Sequence, residues 1–398
     1  MPFISAGDGD LKTAFVSDAW LLDQFVGNTL WMVGVNGQGQ IGDNTIVSKS
    51  IAVQTIAQGN NWKQISCGNS TTLPFTAAIK TDGTLWMWGS NTSGKLGDNT
   101  GTNRSSPVQT VTFATNWKQV CCGANHVAAI KTDGTLWCWG TNANGALGDN
   151  TVTVRSSPIQ TITRGNTWKQ VSAGRNFTAA VKTDGTLWLW GVNVNGQIGD
   201  NSATTKSSPV QTVTFATNWK QVSCGYQHTA AVKTDGTLWC WGWNNNGQLG
   251  DNTSTDRSSP VQTVTAGTNW KQVACGYTFT ACTKTDGTLW LWGRNLEGQL
   301  GDNTAILKSS PVQTVTYGTN WKNVGISSGS FATSAIKNDG TLWVWGYNAG
   351  GQIGDGTATT RSSPVQTYLG GNNWKQSSAS VYASTTVGIV GAVTNGDI

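Results

Sequence analysis

Residues 219–264 read WKQVSCGYQHTAAVKTDGTLWCWGWNNNGQLGDNTSTDRSSPVQTV, four short strand signals separated by turn chemistry. WKQVSCG is the first signal, and HTAAVKT follows the Gly225-Tyr226-Gln227 turn. Asp235-Gly236 then marks a hairpin, because glycine adopts positive φ at little cost. In the third signal, TLWCWG, a period of two sends Trp239 and Trp241 to one face and Leu238 and Cys240 to the other. Both faces of such a sheet are apolar, so each must be covered by a neighbour. After the Asn/Gly loop, RSSPVQTV is the fourth signal, and Pro260, lacking an amide donor, places it at a sheet edge.

The stretch is one copy of a repeat. LWxWG recurs with its Leu at Leu30, Leu85, Leu136, Leu187, Leu238, Leu289 and Leu342, at intervals of 55, 51, 51, 51, 51 and 53 residues, with Val33 replacing the second Trp in the first copy. W-K-Q or W-K-N begins at Trp62, Trp117, Trp168, Trp219, Trp270, Trp321 and Trp374. Four antiparallel strands per copy, apolar on both faces, describe propeller blades packed against one another. The expected fold is an all-β, seven-bladed β-propeller of four-stranded antiparallel blades. The chain opens on a third-strand signal at Leu30 and closes, from Trp374 to Val387, on first- and second-strand signals. Pairing of these N- and C-terminal strands would close the ring and leave no orphan edge.

Composition agrees with a folded repeat: only 11% of the 398 residues are charged, while Gly and Trp number 50 and 22. No apolar run approaches a membrane span, and MPFISAGDGDLKT lacks the marks of a signal peptide, so neither membrane insertion nor signal-directed export is expected. Residues 1–27 lie outside the repeat, and 28–398 form the propeller. In the first segment Leu11, Phe15, Ala19, Leu22 and Val26 follow helical spacing, with Ser17 or Asp18 as a cap, which reads as a lid or an anchor.

Few side chains are available for chemistry. His126 and His228 stand where other copies have Phe75, Phe177 and Phe279, the substitution pattern of a packed core position. Thirteen of the 20 carboxylates sit in the GQLGD turns or the hairpins, where bonding to local backbone explains them. The GDNT loops lack the acidic spacing and terminal Glu of a calcium loop. Cys67, Cys122, Cys224 and Cys275 share one register and no C-x-x-C pair exists, so neither zinc nor a disulfide framework is expected. No catalytic residue, metal or cofactor is assigned. Net charge is +5, with the basic residues spread evenly around the repeats, and no specific nucleic-acid binding is expected.

The G-x-x-H turn, the Asp-Gly hairpin and LWxWGxNxxGQLGD together resemble the repeat of the regulator of chromosome condensation family, from about residue 28 to residue 390. The resemblance implies a seven-bladed ring, and the near-identical copies are most similar to bacterial and bacteriophage members. The family's founder exchanges nucleotide on a small GTPase through a protruding wedge, and no insertion of that size is present. The family's photoreceptors carry Gly-Trp-Arg-His-Thr, whereas Gly225-Tyr226-Gln227-His228-Thr229 lacks the Trp and Arg.

Recognition of a partner without sevenfold symmetry must use positions that differ between copies. These gather in the turn after the C-G string, at Arg175, Asn176, Tyr226, Gln227, Tyr277, Thr278 and Tyr382, and in the Asn/Gly loop, at Trp243, Arg294 and Glu297. The turn face is the better candidate, since the resemblance places partner contacts there. The function expected is therefore a non-enzymatic interaction or structural propeller that binds other proteins of a larger assembly through the turn face or residues 1–27. The specific expectation is a bacteriophage virion component. The alternative is a bacterial propeller binding a protein or carbohydrate in the cytoplasm or at the cell surface.

Overall fold

The alternation read in each copy becomes four antiparallel strands. The computed structural model describes residues 28–56, 59, 61–68, 73–163, 165–316, 318–380 and 385–390. One blade consists of Trp168–Ala173, Phe177–Lys182, Leu187–Gly191 and Lys206–Gln211, hydrogen-bonded in that order. Its Asp184-Gly185 hairpin is tied by Thr186 N–H donating to Asp184 Oδ1 at 2.9 Å. Gly185 has φ +78°, and a Cβ there would overlap the Thr217 carbonyl of the next blade. The hairpin therefore needs glycine for both conformation and close approach. Pro209 lies on the outer strand, whose pairing shifts register between Leu189 and Gly191.

The expectation of seven like blades requires a correction. Among the described residues, six blades are contiguous units of four consecutive strands, beginning at Trp62, Trp117, Trp168, Trp219, Trp270 and Trp321. The remaining strands, two from each end, form a composite four-stranded sheet in the order Lys49–Gln54, Thr29–Gly34, Thr385–Val390, Trp374–Ser380. Thr29–Gly34 runs antiparallel to Thr385–Val390, with Thr29 opposite Val390 and Gly34 opposite Thr385. The physical reason is phase: the chain begins two strands into a repeat, so counting either string counts one more copy than there are contiguous blades. The expected helix in residues 1–27 lies outside the described residues.

The core lies between sheets. Phe177, Val181, Leu187 and Leu189 of one blade pack against Trp219, Val222 and Trp241 of the next, all essentially buried. Each Asn/Gly loop also latches onto the following blade. Gly199 has φ +75°, and a Cβ there would meet Trp241 Nε1 at 2.6 Å, while that indole donates to the Gln197 carbonyl at 2.9 Å. Buried Asn193 shapes the loop: its Oδ1 accepts from Ile198 N–H at 2.9 Å and its Nδ2 donates to Asp200 at 3.1 Å. The spacing of Asn, Gly and Trp in the repeat is thus an interblade joint. At the last joint Val33 replaces the tryptophan against Gly354, and the indole bond is absent.

Around the axis, a central cavity of about 290 Å³ is lined by the W-K-Q strands. Gln170 Oε1 accepts from Val222 N–H at 2.9 Å and its Nε2 donates to Val222 O at 2.8 Å. Gln64, Gln119, Gln221 and Gln272 make the same two-bond clasp with the next sheet, and Gln376 returns it to Ile65. Asn323 is one methylene shorter and reaches Lys375 O only at 3.5 Å.

Candidate functional site

The basic residues separate surface chemistry from architecture. Lys49, Arg104, Arg155, Lys206, Arg257, Lys308 and Arg361, which lead the S-S-P strands or their equivalent, are each ion-paired to the Asp of their own GD turn at 2.7–3.7 Å. Lys80, Lys131, Lys182, Lys233, Lys284 and Lys337 each lie over two tryptophan rings, as Lys182 does over Trp168 at 5.0 Å and Trp188 at 4.2 Å. The W-K-Q lysines are exposed and repeat around the ring. Outside these three sets stand Lys12, Lys95, Arg164, Arg175 and Arg294, of which Lys12 and Arg164 lie outside the described residues.

His126 and His228 are buried, with Nε2 against Thr178 Oγ1 at 2.9 Å and Thr280 Oγ1 at 3.1 Å. Burial pushes their imidazoles down to about 4 and about 3, so both are neutral. The eight cysteines are free thiols, and burial raises Cys67 and Cys275 to about 12. No group of three or more His, Cys, Asp or Glu among the described residues could hold a metal. No helix among them is long and apolar enough to cross a membrane.

On the turn face, residues of consecutive sheets form one continuous stack. The Arg175 guanidinium lies 4.5 Å from the Tyr226 ring centroid, and the Tyr226 and Tyr277 rings are 4.1 Å apart. Tyr277 meets Phe331 at 4.8 Å, and the Arg294 guanidinium covers Phe331 at 4.8 Å. Arg294 in turn holds Glu297 through bonds of 3.1 and 2.6 Å. Backbone bonds carry the stack from blade to blade: Arg175 N–H donates to Tyr226 O, Tyr226 N–H to Tyr277 O and Tyr277 N–H to Ser330 O. Burial and the adjacent Tyr226 ring push the Tyr277 phenol up to about 12, so the stripe keeps the tyrosine neutral. Turn residues and Asn/Gly-loop residues, read from the sequence as two separate clusters, meet here at Phe331.

The other candidates are placed around this stripe. Asn176 and Gln227 are half-buried beside Arg175 and Tyr226, lining a cavity of about 160 Å³. Thr278 is buried rather than presented to solvent, because its backbone is tied inward, its carbonyl accepting from Arg294 N–H at 2.9 Å. Trp243 is half-buried, its backbone N–H donating to the Gln227 carbonyl at 2.9 Å. Tyr382 lies outside the described residues. Two participants were missed by sequence reasoning, Phe331 and Gln197. Phe331 follows the two-residue excess in the last LWxWG interval, a signal that was available; Gln197 looks like an ordinary loop residue.

Lys95 was also missed, although it is the one cation in a loop position occupied elsewhere by Gln40, Ala146, Gln197, Gln248, Gln299 and Gln352. It is fully buried, donates from Nζ to Leu73 O at 2.8 Å and faces the Phe75 ring at 5.1 Å. Burial pushes its ammonium down to about 7. The unfolded chain holds this proton up to the ordinary lysine value, so wild-type stability contains a rise with pH from about 7 towards 10.5. Lys95→Gln should remove that rise and stabilise the fold at neutral pH by about 1 kcal/mol or more. Denaturant titrations of both proteins at neutral and alkaline pH read the difference directly; parallel curves would show that Lys95 stays charged in the fold.

Sheets arranged as blades around an axis, an ionisable inventory absorbed by architecture, and one asymmetric stripe of Tyr, Phe and Arg define a propeller of the protein-interaction class. The chain belongs to the RCC1-like domain family, whose model matches residues 29–387. It is similar to the ultraviolet-B receptor UVR8 of Arabidopsis thaliana, 30% identical over 337 residues, which cover 83% of this chain and 76% of that protein. Among solved structures, human WBSCR16 superposes with a TM-score of 0.80 at 20% identity, covering 91% of this chain and 99% of that one. Yeast RCC1 (Prp20), in a crystal structure bound to Kap60, also gives 0.80 at 16% identity, covering 100% of this chain and 96% of that one. These relatives are from a plant, human and yeast, so the expected affinity to bacterial and bacteriophage members has no support from them.

Proposed function

We propose that this chain is a non-enzymatic protein-binding propeller whose recognition surface is the stripe from Arg175 to Glu297. The observation that carries the reading is the stack itself. Among the described residues it occupies one arc of the ring, whereas the other exposed or half-buried basic residues there are paired, stacked or repeated with the period of the fold. Tyr and Arg held in fixed planes lose little side-chain freedom on binding, which is why such residues dominate interface hot spots. The protein-bound crystal structure of the yeast relative concerns that protein, and supports here only the view that this fold can present a protein-binding face.

Replacing Arg175, Tyr226 and Tyr277 together by Ala should preserve the fold and weaken partner attachment by about 2 kcal/mol or more, roughly 30-fold. The measurement is a titration of the cross-linked partner from the native source against wild-type and triple-mutant protein, with matched thermal melts as the folding control. Full binding by the folded triple mutant would move recognition to another surface. The narrower reading of a virion component, and the virion location that goes with it, rests on the Glu-poor, Thr/Asn/Gly/Ser-rich composition and on the helical spacing in residues 1–27 that reads as an anchor. Co-sedimentation of the native protein with a particle tests it; a soluble, particle-free pool would end it.

A further inference from the structure

The end of the stripe at Arg175 is chemically unfinished, and the opposite end shows what completes it. At the far end, Glu297 is the sole glutamate of the chain. Its carboxylate is held by Arg294 Nε at 3.1 Å and an Arg294 terminal nitrogen at 2.6 Å, and it accepts from Gln299 Nε2 at 3.2 Å. One guanidinium and one buried glutamine amide thus enclose one carboxylate. Arg175 and Gln197 bring the same two donor types to the wall of the 160 Å³ cavity. Gln197 occupies in its loop the place of Gln299, and is fully buried, yet its Nε2 has no hydrogen-bond partner. The exposed Arg175 guanidinium lies over Tyr226 with no carboxylate bound to it among the described residues. Asn176 and Gln227 add two further side-chain amides to the wall, and no Asp or Glu lines it.

A buried amide N–H left without an acceptor is costly, and a cation beside it raises the preference for an anion over water. Gln248 and Gln352 also have unpartnered Nε2 atoms, but at the turn position corresponding to Arg175 the blade of Gln248 has Tyr226 and so lacks the cation. The combination at Arg175 and Gln197 is the one that selects for negative charge. The cavity volume corresponds to about five waters of liquid, at ~30 Å³ each, room for a short acidic side chain.

We propose that this cavity receives a glutamate side chain from the bound partner, its carboxylate bridging the Arg175 guanidinium and Gln197 Nε2 while the adjoining peptide lies along Tyr226 and Tyr277. The assignment rests on the turn face being the recognition surface and specifies what that surface reads. The partner is therefore a protein with a glutamate at the edge of an aromatic or apolar contact, and aspartate, one methylene shorter, is the weaker fit.

The test uses the full chain with selectively ¹⁵N-labelled arginine and three blocked peptides: acetyl-glutamate methylamide, its glutamine counterpart, and acetyl-alanine with a free carboxylate. The glutamate peptide should shift the Arg175 side-chain resonance saturably, and the glutamine peptide should bind at least tenfold more weakly. Arg175→Gln should abolish the glutamate preference. Gln197→Ala should weaken glutamate binding severalfold without unfolding the protein, because Ala146 fills the equivalent place and its carbonyl still accepts from Trp190 Nε1 at 2.9 Å and Thr178 Oγ1 at 2.8 Å. Equal binding of glutamate and glutamine peptides, no shift of Arg175 up to the peptide's solubility, or preference for acetyl-alanine would each overturn the assignment. If the Arg175/Tyr226/Tyr277 triple mutant loses its partner while the glutamate peptide leaves Arg175 unmoved, the recognition face stands and this inference alone fails. A triple mutant that keeps its partner removes the reading beneath both.

Discussion

Removing residues 374–398 should abolish cooperative folding at the wild-type melting temperature. The deletion takes the strands Trp374–Ser380 and Thr385–Val390 from the composite sheet, leaving Thr29–Gly34 paired on one edge only. It also removes the Gln376 clasp on Ile65 and the Ser327–Ser378 hydroxyl bond of 2.9 Å. Trp374 would no longer cover Ile336, Leu342, Val344 and Ile353, and Leu30 and Met32 would lose a neighbouring strand. Each large apolar side chain so uncovered costs roughly 1.5–3 kcal/mol, and a handful of them equals the total stability of an ordinary domain, about 5–15 kcal/mol. Scanning calorimetry of the truncated chain should show a broad, low-temperature transition or aggregation on folding. A sharp transition at the wild-type temperature would mean that the six contiguous blades hold the ring without their closing strands.

The second large effect is acid sensitivity through His126 and His228. Both are neutral in the fold, with imidazoles lowered to about 4 and about 3 by burial, whereas the unfolded chain titrates at the ordinary value of 6.5. As pH falls below 6.5 the unfolded state takes up protons that the native state refuses, so stability is lost progressively down to the folded values. At about 1.4 kcal/mol per pH unit, the contribution across that window is on the order of 3 kcal/mol for His126 and roughly 5 kcal/mol for His228. Replacing both by Phe, the residue found at the same place in Phe75, Phe177 and Phe279, should leave neutral stability within about 2 kcal/mol and flatten the decline between pH 6.5 and 4. Urea titrations across that range measure it. An unchanged acid slope in the double variant would assign the loss to the carboxylates instead. Asp149 is a representative competitor: burial opposes its ionisation, but hydrogen bonds from Thr151, Arg155 and Asn142 outweigh it and hold its carboxyl below the usual range.

How legible the molecule was depends on whether a residue acts within one repeat or between repeats. The strands, their alternation, the Asp-Gly hairpins and the Pro at the outer edge follow from local periodicity and backbone chemistry, and so were readable from residues 219–264 alone. The phase difference between the LWxWG and W-K-Q strings also told that the two ends must meet, since an unpaired strand cannot keep its edge bare. What local reading misjudged was the count of contiguous blades, because a repeat string does not reveal which sheet its strand joins.

The site divides in the same way. Departure from the repeat marked Arg175, Tyr226, Tyr277, Arg294 and Glu297, since an asymmetric residue in a symmetric ring stands out without any coordinates. That these side chains stack into one line through Phe331, linking turn to loop, is set by the angle between neighbouring blades, which no single repeat encodes. Lys95 and Gln197 were harder still: Lys95 breaks the loop pattern, but only burial between sheets lowers its hold on a proton, and Gln197 follows the pattern, yet burial leaves its Nε2 without a hydrogen-bond partner. Local chemistry determined the blade, whereas the packing of one blade on the next decided which polar groups were left with something to bind.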